Sequence, residues 1–361
     1  MEKYRVGIVG ATGMVGQRFI SLLKDHPWFE VNCVAASARS AGKTYREAVG
    51  ERWAFSWEIP EKVAGMTVVD AADIDEVSKH VDFVFCAVDM KKDEIRALEE
   101  AYAKHEIPVV SNNSACRGIE DVPMVVPEIN ADHLAVIEAQ KKRLGTKNGF
   151  IAVKPNCSIQ SYVPALTPLL DFEPEKVSVC TYQAISGAGK TFKTWPEMVD
   201  NVIPYIGGED EKSENEPLKL WGHVEDGKIV NATLPVISAQ CLRVACSDGH
   251  MAAVSVSFKK KPTIEQIKER WANYETEAQR LELPSAPKPF LQYFEDPSRP
   301  QTRLDRDFQN GFGVSIGRLR EDKLFDYRFV CLSHNTVRGA AGGGILMAEL
   351  LCRKGYIPHR V

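Results

Sequence analysis

A short apolar run, Tyr4 to Val9, ends in Gly10-Ala-Thr-Gly13-Met-Val-Gly16 and passes straight into Gln17-Arg-Phe-Ile-Ser-Leu-Leu-Lys24, whose apolar residues recur at helical spacing. A buried strand joined to a helix through such a turn opens a βαβ unit. Bare backbone amides there lie at the positive end of the helix, where a pyrophosphate can approach closely. The spacing is GxxGxxG rather than GxGxxG, and glycines that serve only as tight turns are the plainer reading. The strand before and the helix after favour a dinucleotide site formed by Gly10, Thr12, Gly13, Met14 and Val15.

Further along, apolar runs at 31–36, 81–88 and 108–111 alternate with helical stretches such as 92–104, the rhythm of a parallel, doubly wound sheet. Beyond about residue 155 the strands lengthen and every second residue is apolar, as in 177–183 and 251–258, which predicts a sheet with one wet face. With 361 residues, two domains are expected: a Rossmann-type domain over 1–155 and an α+β domain over 156–334. The segment 335–361 is expected to return as a helix onto the first domain. The stretches 207–217, which is acidic, and 284–300, which is proline-rich, read as loops.

A site for NAD usually carries an acidic side chain about 20 residues on, holding the ribose 2′-hydroxyl. No Asp or Glu occurs between Glu30 and Glu47; Ser37, Arg39, Ser40 and Lys43 occupy that stretch. A guanidinium flanked by hydroxyls suits a 2′-phosphate, so NADP is expected over NAD, against the plainer view of Arg39 as a solvated surface residue.

The formal net charge of −4 gives no reason to expect nucleic acid or an anionic membrane as partner, and small molecules are the expected ligands. No apolar run approaches the roughly 18 residues of a membrane span, and the N-terminal residues have no signal-peptide pattern. Nine scattered cysteines without a CxxC pair fit a reducing cytoplasm. One stands apart. Lys154-Pro-Asn156-Cys157-Ser-Ile-Gln-Ser161 follows an apolar strand pattern at 150–153 and precedes helical spacing over 159–170. Cys157 is thus expected at a helix N-terminus, where dipole and amides favour a thiolate and can hold an oxyanion; the alternative is a small buried hydrophobe. Cys33, Cys86 and Cys180 lie in strand patterns and are expected to be inert core residues, while Cys116 lies in a polar loop. Cys241, Cys246 and His250 match no usual zinc spacing, so no metal is expected.

The glycine-rich turn, Pro155-Asn-Cys-Ser158, Gln183-Ala-Ile-Ser-Gly-Ala-Gly189 and Arg243-Val-Ala-Cys-Ser-Asp-Gly-His250 resemble, in order and spacing, the aspartate-semialdehyde dehydrogenase family over nearly the whole chain. The likeness is greatest to its branch in archaea, fungi and some bacteria, in which the 201–212 segment is also familiar. It implies a Rossmann-type domain plus a catalytic and dimerisation domain of the glyceraldehyde-3-phosphate dehydrogenase-like type, assembled as a homodimer or homotetramer. It also implies NADPH-dependent reduction of aspartyl phosphate to aspartate semialdehyde, a step of lysine, threonine, methionine and isoleucine biosynthesis. Under the resemblance Cys157 is the nucleophile, His250 the acid/base, and Gln183 positions the acyl group. Asn156 joins the substrate site, Arg243 pairs the substrate carboxylate, Glu209 faces its ammonium group, and Arg117 and Lys212 hold phosphate. Ser186 and Gly187 line the nicotinamide pocket, and Asn335 with Thr336 closes it.

Four rivals are weighed. Ala184-Ile-Ser-Gly-Ala-Gly-Lys190-Thr191 fits a relaxed phosphate loop, but Pro196 falls inside the helix such a loop requires. N-acetylglutamyl-phosphate reductase would carry glycine where Asn156 stands. Malonyl-CoA reductase keeps the fold and changes only the acyl donor. A non-catalytic dinucleotide sensor would dispense with Cys157.

Overall fold

The structure, a computed structural model, describes residues 2–359; Met1 and residues 360–361, the end of the 335–361 segment, lie outside it. Six strands form the first sheet: β1 (Tyr4–Val9), β2 (Phe29–Ala36), β3 (Val69–Asp70), β4 (Phe83–Cys86), β5 (Val109–Ser111) and β6 (Ile151–Val153). All neighbours are parallel and the order is β3-β2-β1-β4-β5-β6, the arrangement of a dinucleotide-binding Rossmann sheet. Both faces are covered. In β4, Phe83 and Phe85 pack in one apolar cluster while Val84 and Cys86 pack in another, which is why the strand reads as a continuous apolar run.

One of these clusters is completed by two helices distant in sequence, Met14–Leu23 through Phe19, Ile20 and Leu23, and Gly342–Arg353 through Ile345, Leu346, Leu350 and Leu351. The C-terminal helix is therefore core to the first sheet. Its buried Glu349 accepts from Ser285 and pairs with His26, which ties the helix to two segments distant in sequence.

The second sheet is mixed, with seven strands in the order β13-β14-β15-β12-β7-β11-β8. Its members are β7 (Pro174–Gln183), β8 (Val202–Ile203), β11 (Val236–Val244), β12 (His250–Phe258), β13 (Leu291–Phe294), β14 (Val314–Glu321) and β15 (Tyr327–Ser333); β9 (His223–Glu225) and β10 (Lys228–Val230) form a separate hairpin. Burial along β12 alternates strictly, with Ala252, Val254 and Val256 inward and Met251, Ala253 and Ser255 on the other face. That second face is open, and Leu242, Tyr182 and Met251 align across it on neighbouring strands.

Four sequence expectations are corrected. The 207–217 stretch is part of a helix, Glu209–Leu220, started by the left-handed Gly208 and by three acidic residues in its first turn, where the helix dipole favours them. Pro217 sits inside it without breaking it. Proline withholds the bond that the Ser213 carbonyl would receive, and the buried Tyr162 hydroxyl donates to that carbonyl instead, at 2.6 Å. The 159–170 stretch is no regular helix. It divides into short turns, Ser158–Gln160, Val163–Leu166 and Thr167–Phe172, because Pro164 and Pro168 remove amide donors four residues apart. The 284–300 stretch contains β13, paired parallel to β14. Among the cysteines, Cys116 is fully buried, and Cys180 is half-exposed on the open face of the second sheet instead of lying in the core.

Candidate active site

The glycine-rich turn leaves β1 beside the carboxyl end of β2, with the Gly10 and Ala11 amides donating to the Ala35 carbonyl. Gly10 has φ of 90°, and a Cβ there would stand 2.2 Å from the Ala87 carbonyl oxygen, so only glycine fits. Gly13 caps the Met14–Leu23 helix with no side chain to compete for its first amides. The turn thus presents a bare, electropositive cradle that fits a dinucleotide pyrophosphate. Thr12, Met14 and Val15 are partly accessible around it. Ser37 and Arg39 are exposed just past β2, and Ser40 is buried with its amide bonded to the Ser37 carbonyl.

Cys157 follows β6 on the Ser158–Gln160 turn, and its Sγ lies 3.4 Å from His250 Nε2. His250 begins β12 and is fully buried. Burial, and then the Arg243 guanidinium, push its pKa down to about 3. The thiol is itself raised above its ordinary value by burial, with Glu209 adding to the rise; Lys154, Arg117 and Arg243 pull it back down. The short turn carries less dipole than the helix expected from sequence, so neighbouring cations are the main source of thiolate stabilisation.

The Glu209–Leu220 helix organises the rest by presenting one face to the site. Glu209 accepts from Asn156 Nδ2 at 2.9 and 3.1 Å, from Lys212 at 2.8 Å and from Gln183 at 3.3 Å. Glu216, invisible to sequence reasoning, accepts from the Asn156 amide at 2.6 Å and pairs with Arg117 at 2.9 Å. Lys219 donates to the carbonyls of Arg117, Ile119 and Val122 at 2.7, 2.7 and 3.0 Å, fixing the loop that carries Arg117. Lys219→Met strands three carbonyls, and a loss of about 2–4 kcal/mol in thermal unfolding is expected. An unchanged melting temperature would count against this role.

The two halves of the site meet at the turn after β7. Gly187 packs so closely that a Cβ there would stand 2.8 Å from Arg243 Nη1 and 3.0 Å from His250 Nε2. Ser186 receives a hydrogen bond from Asn335 Nδ2 at 2.8 Å, and Asn335 Oδ1 accepts from the Gly249 amide at 2.7 Å. Thr336, buried, bonds through its amide to His334. Cys157, His250, Gln183, Asn156, Glu209, Lys212 and Arg243 therefore converge, with Arg117 linked through Glu216. The phosphate-loop reading fails, since residues 189–195 form no helix and Pro196 opens only a short turn. Among the described residues, no group of three His, Cys, Asp or Glu side chains is placed to hold a metal.

A Rossmann sheet coupled to a mixed sheet, with a partly buried thiol facing an imidazole at their junction, is the arrangement of a dinucleotide-linked dehydrogenase that works through a cysteine. Two family models match: the semialdehyde dehydrogenase NAD-binding domain over residues 5–137 and the semialdehyde dehydrogenase dimerisation domain over 166–338. The chain belongs to the aspartate-semialdehyde dehydrogenase family. It is 45% identical to the aspartate-semialdehyde dehydrogenase of Schizosaccharomyces pombe, covering 98% of this chain and 99% of that one. Identity to the Archaeoglobus fulgidus enzyme is 43%, over 98% of this chain and 100% of the relative. The crystal structure of the Candida albicans aspartate-semialdehyde dehydrogenase with NADP superposes with a TM-score of 0.89 at 39% identity, covering 99% of this chain and all of that one. Fungal and archaeal relatives agree with the branch that the sequence resembles.

Proposed function

We infer that this protein catalyses the NADPH-dependent reductive dephosphorylation of aspartyl 4-phosphate to aspartate 4-semialdehyde, in amino-acid biosynthesis. The observation that carries this reading is the 3.4 Å approach of Cys157 Sγ to His250 Nε2 within a ring of substrate-matching charges. Cys157 attacks the acyl carbon and phosphate leaves. Gln183 positions the acyl group, Arg243 pairs the substrate carboxylate, and Glu209, with Asn156 held against it, faces the ammonium group. Arg117 and Lys212 hold the departing phosphate. The bound cofactor supplies a hydride to the resulting thioester. Its pyrophosphate is held by Gly10, Thr12, Gly13, Met14 and Val15, its 2′-phosphate by Ser37, Arg39 and Ser40, and its nicotinamide by Ser186, Gly187, Asn335 and Thr336.

The domain boundary is placed at residue 155, with 335 onward returning to the first domain. Homodimers or homotetramers form through the open face of the second sheet, a reading supported by the dimerisation-domain match and by exposed Val202, Tyr205 and Val236 near that face. No helix among the described residues is long and apolar enough to cross a membrane, and we place the enzyme in the cytoplasm. The test is oxidation of aspartate semialdehyde with NADP or NAD, with and without inorganic phosphate. NADP and phosphate are both expected to be required. Phosphate-independent oxidation of malonate semialdehyde when CoA is added, with malonyl-CoA as product, would support the malonyl-CoA reductase alternative. Arg39→Ala is expected to raise KM for NADP about 10- to 100-fold, the worth of a charged hydrogen-bond pair, and to spare NAD.

A further inference from the structure

Two lysines are buried among the described residues, and they are housed differently. Lys219 meets three carbonyls, which satisfies its three donor hydrogens. Lys154, only 3% exposed, donates to one acceptor, the Pro155 carbonyl at 2.6 Å, and among the described residues no carboxylate stands within ion-pairing reach of it. Its amide is bonded to the Ser111 carbonyl at 2.8 Å, just past β6. Its stem runs under the first turn of the Gly342–Arg353 helix, where a Cβ at Gly343 would stand 3.3 Å from Lys154 Cδ. Burial, Arg117, Arg338 and the positive end of that helix all oppose an ammonium there. An unpaired charge so placed is costly unless an anion answers it.

The anion is three residues away in sequence. Cys157 and Glu216 are the groups that favour the ammonium, Cys157 the more strongly. Glu216 is already engaged by Arg117 and by the Asn156 amide, which leaves the sulfur. Conversely, of the cations that favour a thiolate at Cys157, Lys154 acts most strongly, ahead of Arg117 and Arg243. We propose that Lys154 is a positioning residue for charge, its buried ammonium being the counter-ion that keeps the Cys157 thiolate available near neutral pH. The proposal rests on the reading of Cys157 as the nucleophile. Proton transfer stays with His250, whose Nε2 lies 3.4 Å from the sulfur, and Lys154 contributes charge alone.

Burial, and then Arg117, bring the pKa of this ammonium down to about 7. Below that pH the charge is present and favours ionisation of a thiol that burial and Glu209 oppose; as pH rises past it the charge, and its help, fade. Arg117, Arg243 and Arg338 keep their charge throughout. The benefit of Lys154 is therefore greatest at pH 6 to 7. The coupling is reciprocal, so a thiolate in turn holds the ammonium charged to higher pH.

Two measurements on the full-length protein, both without substrate, test the assignment. In the first, alkylation of Cys157 by iodoacetamide is followed by mass on its own peptide. Lys154→Met, close in shape and uncharged, is expected to slow alkylation about tenfold at pH 6.5, the worth of one unit of thiol pKa, with the two profiles meeting above about pH 9. It should melt no lower than wild type, since an apolar chain replaces an unpaired buried charge. A lower melting temperature with an alkylation profile superimposed on wild type is the mark of a structural lysine and overturns the proposal. The second measurement leaves residue 154 intact. In 13Cε spectra of lysine-labelled protein, the resonance titrating near pH 7 is expected to move to lower pH in Cys157→Ala, while Lys219, brought down by burial to about 8, stays in place. A Lys154 midpoint unmoved by removal of the sulfur overturns the proposal whether or not the methionine variant folds. Absence of aspartate-semialdehyde oxidation would instead sink the functional reading and leave both readouts intact.

Discussion

Cys157→Ser is expected to abolish turnover by at least about 10⁴-fold, the scale on which loss of a covalent nucleophile is felt, with NADP binding essentially retained. A serine hydroxyl ionises far less readily than a thiol and needs a base. The imidazole at 3.4 Å is fully buried, and with its pKa pushed down to about 3 it is a weak base for so weak an acid. The cations around the sulfur, Lys154, Arg117 and Arg243, ease a thiol ionisation that burial opposes, but they cannot ionise a group as weakly acidic as serine. The proposed cofactor site is the glycine-rich turn on the other side of the junction, which the substitution leaves alone. The measurement pairs steady-state oxidation of aspartate semialdehyde with NADPH fluorescence titration. Residual activity within tenfold of wild type would remove Cys157 from the chemistry, and loss of NADPH affinity would mean that the sulfur supports the fold instead.

What the sequence reveals is what is local. β1 and the Lys92–Lys104 helix are legible because apolar period and length both point one way, and the glycine-rich turn because strand, glycines and helix are contiguous. The Glu209–Leu220 helix is illegible for an equally physical reason. Its acidic start and internal proline look like loop composition, and it is held by contacts to Asn156, Gln183, Arg117 and the Tyr162 hydroxyl, most of them dozens of residues away in the chain. The motif residues of the site could be named from their neighbours in sequence. Glu216 and Lys219 could not, because each acts through a backbone group or an ion pair that exists only once the sheets are assembled. Lys154 is similar: it adjoins the nucleophile in sequence, yet only the fold shows it buried, with burial bringing its pKa down to about 7 and its ammonium bonded to the Pro155 carbonyl at 2.6 Å.

Gly339→Ala is the second large effect expected, and it comes from the same long-range assembly. A Cβ at 339 would stand 2.9 Å from Cys157 Cβ and 3.3 Å from its Cα, so one of the two segments must move. The C-terminal segment is the anchored one. Arg338 is buried in a two-point pair with Glu128 at 2.7 and 2.8 Å, donates to the Phe312 carbonyl at 2.9 Å, and lies over the Phe290 ring at 4.4 Å. Cys157 opens a short turn, Ser158–Gln160, in a stretch that Pro164 and Pro168 keep from forming a regular helix, and it yields more easily. A displacement approaching 1 Å at a nucleophile costs on the order of 10²-fold in rate, while the overpacking itself costs about 1–3 kcal/mol of stability. kcat should therefore fall by about that factor, cofactor affinity should hold, and the melting temperature should drop by a few degrees. Gly65→Ala, at a helix end with open space around the added methyl, is the control for glycine replacement as such. If Gly339→Ala turns over within threefold of wild type, the C-terminal segment does not set the position of the sulfur, and the Arg338–Glu128 pair serves the fold alone.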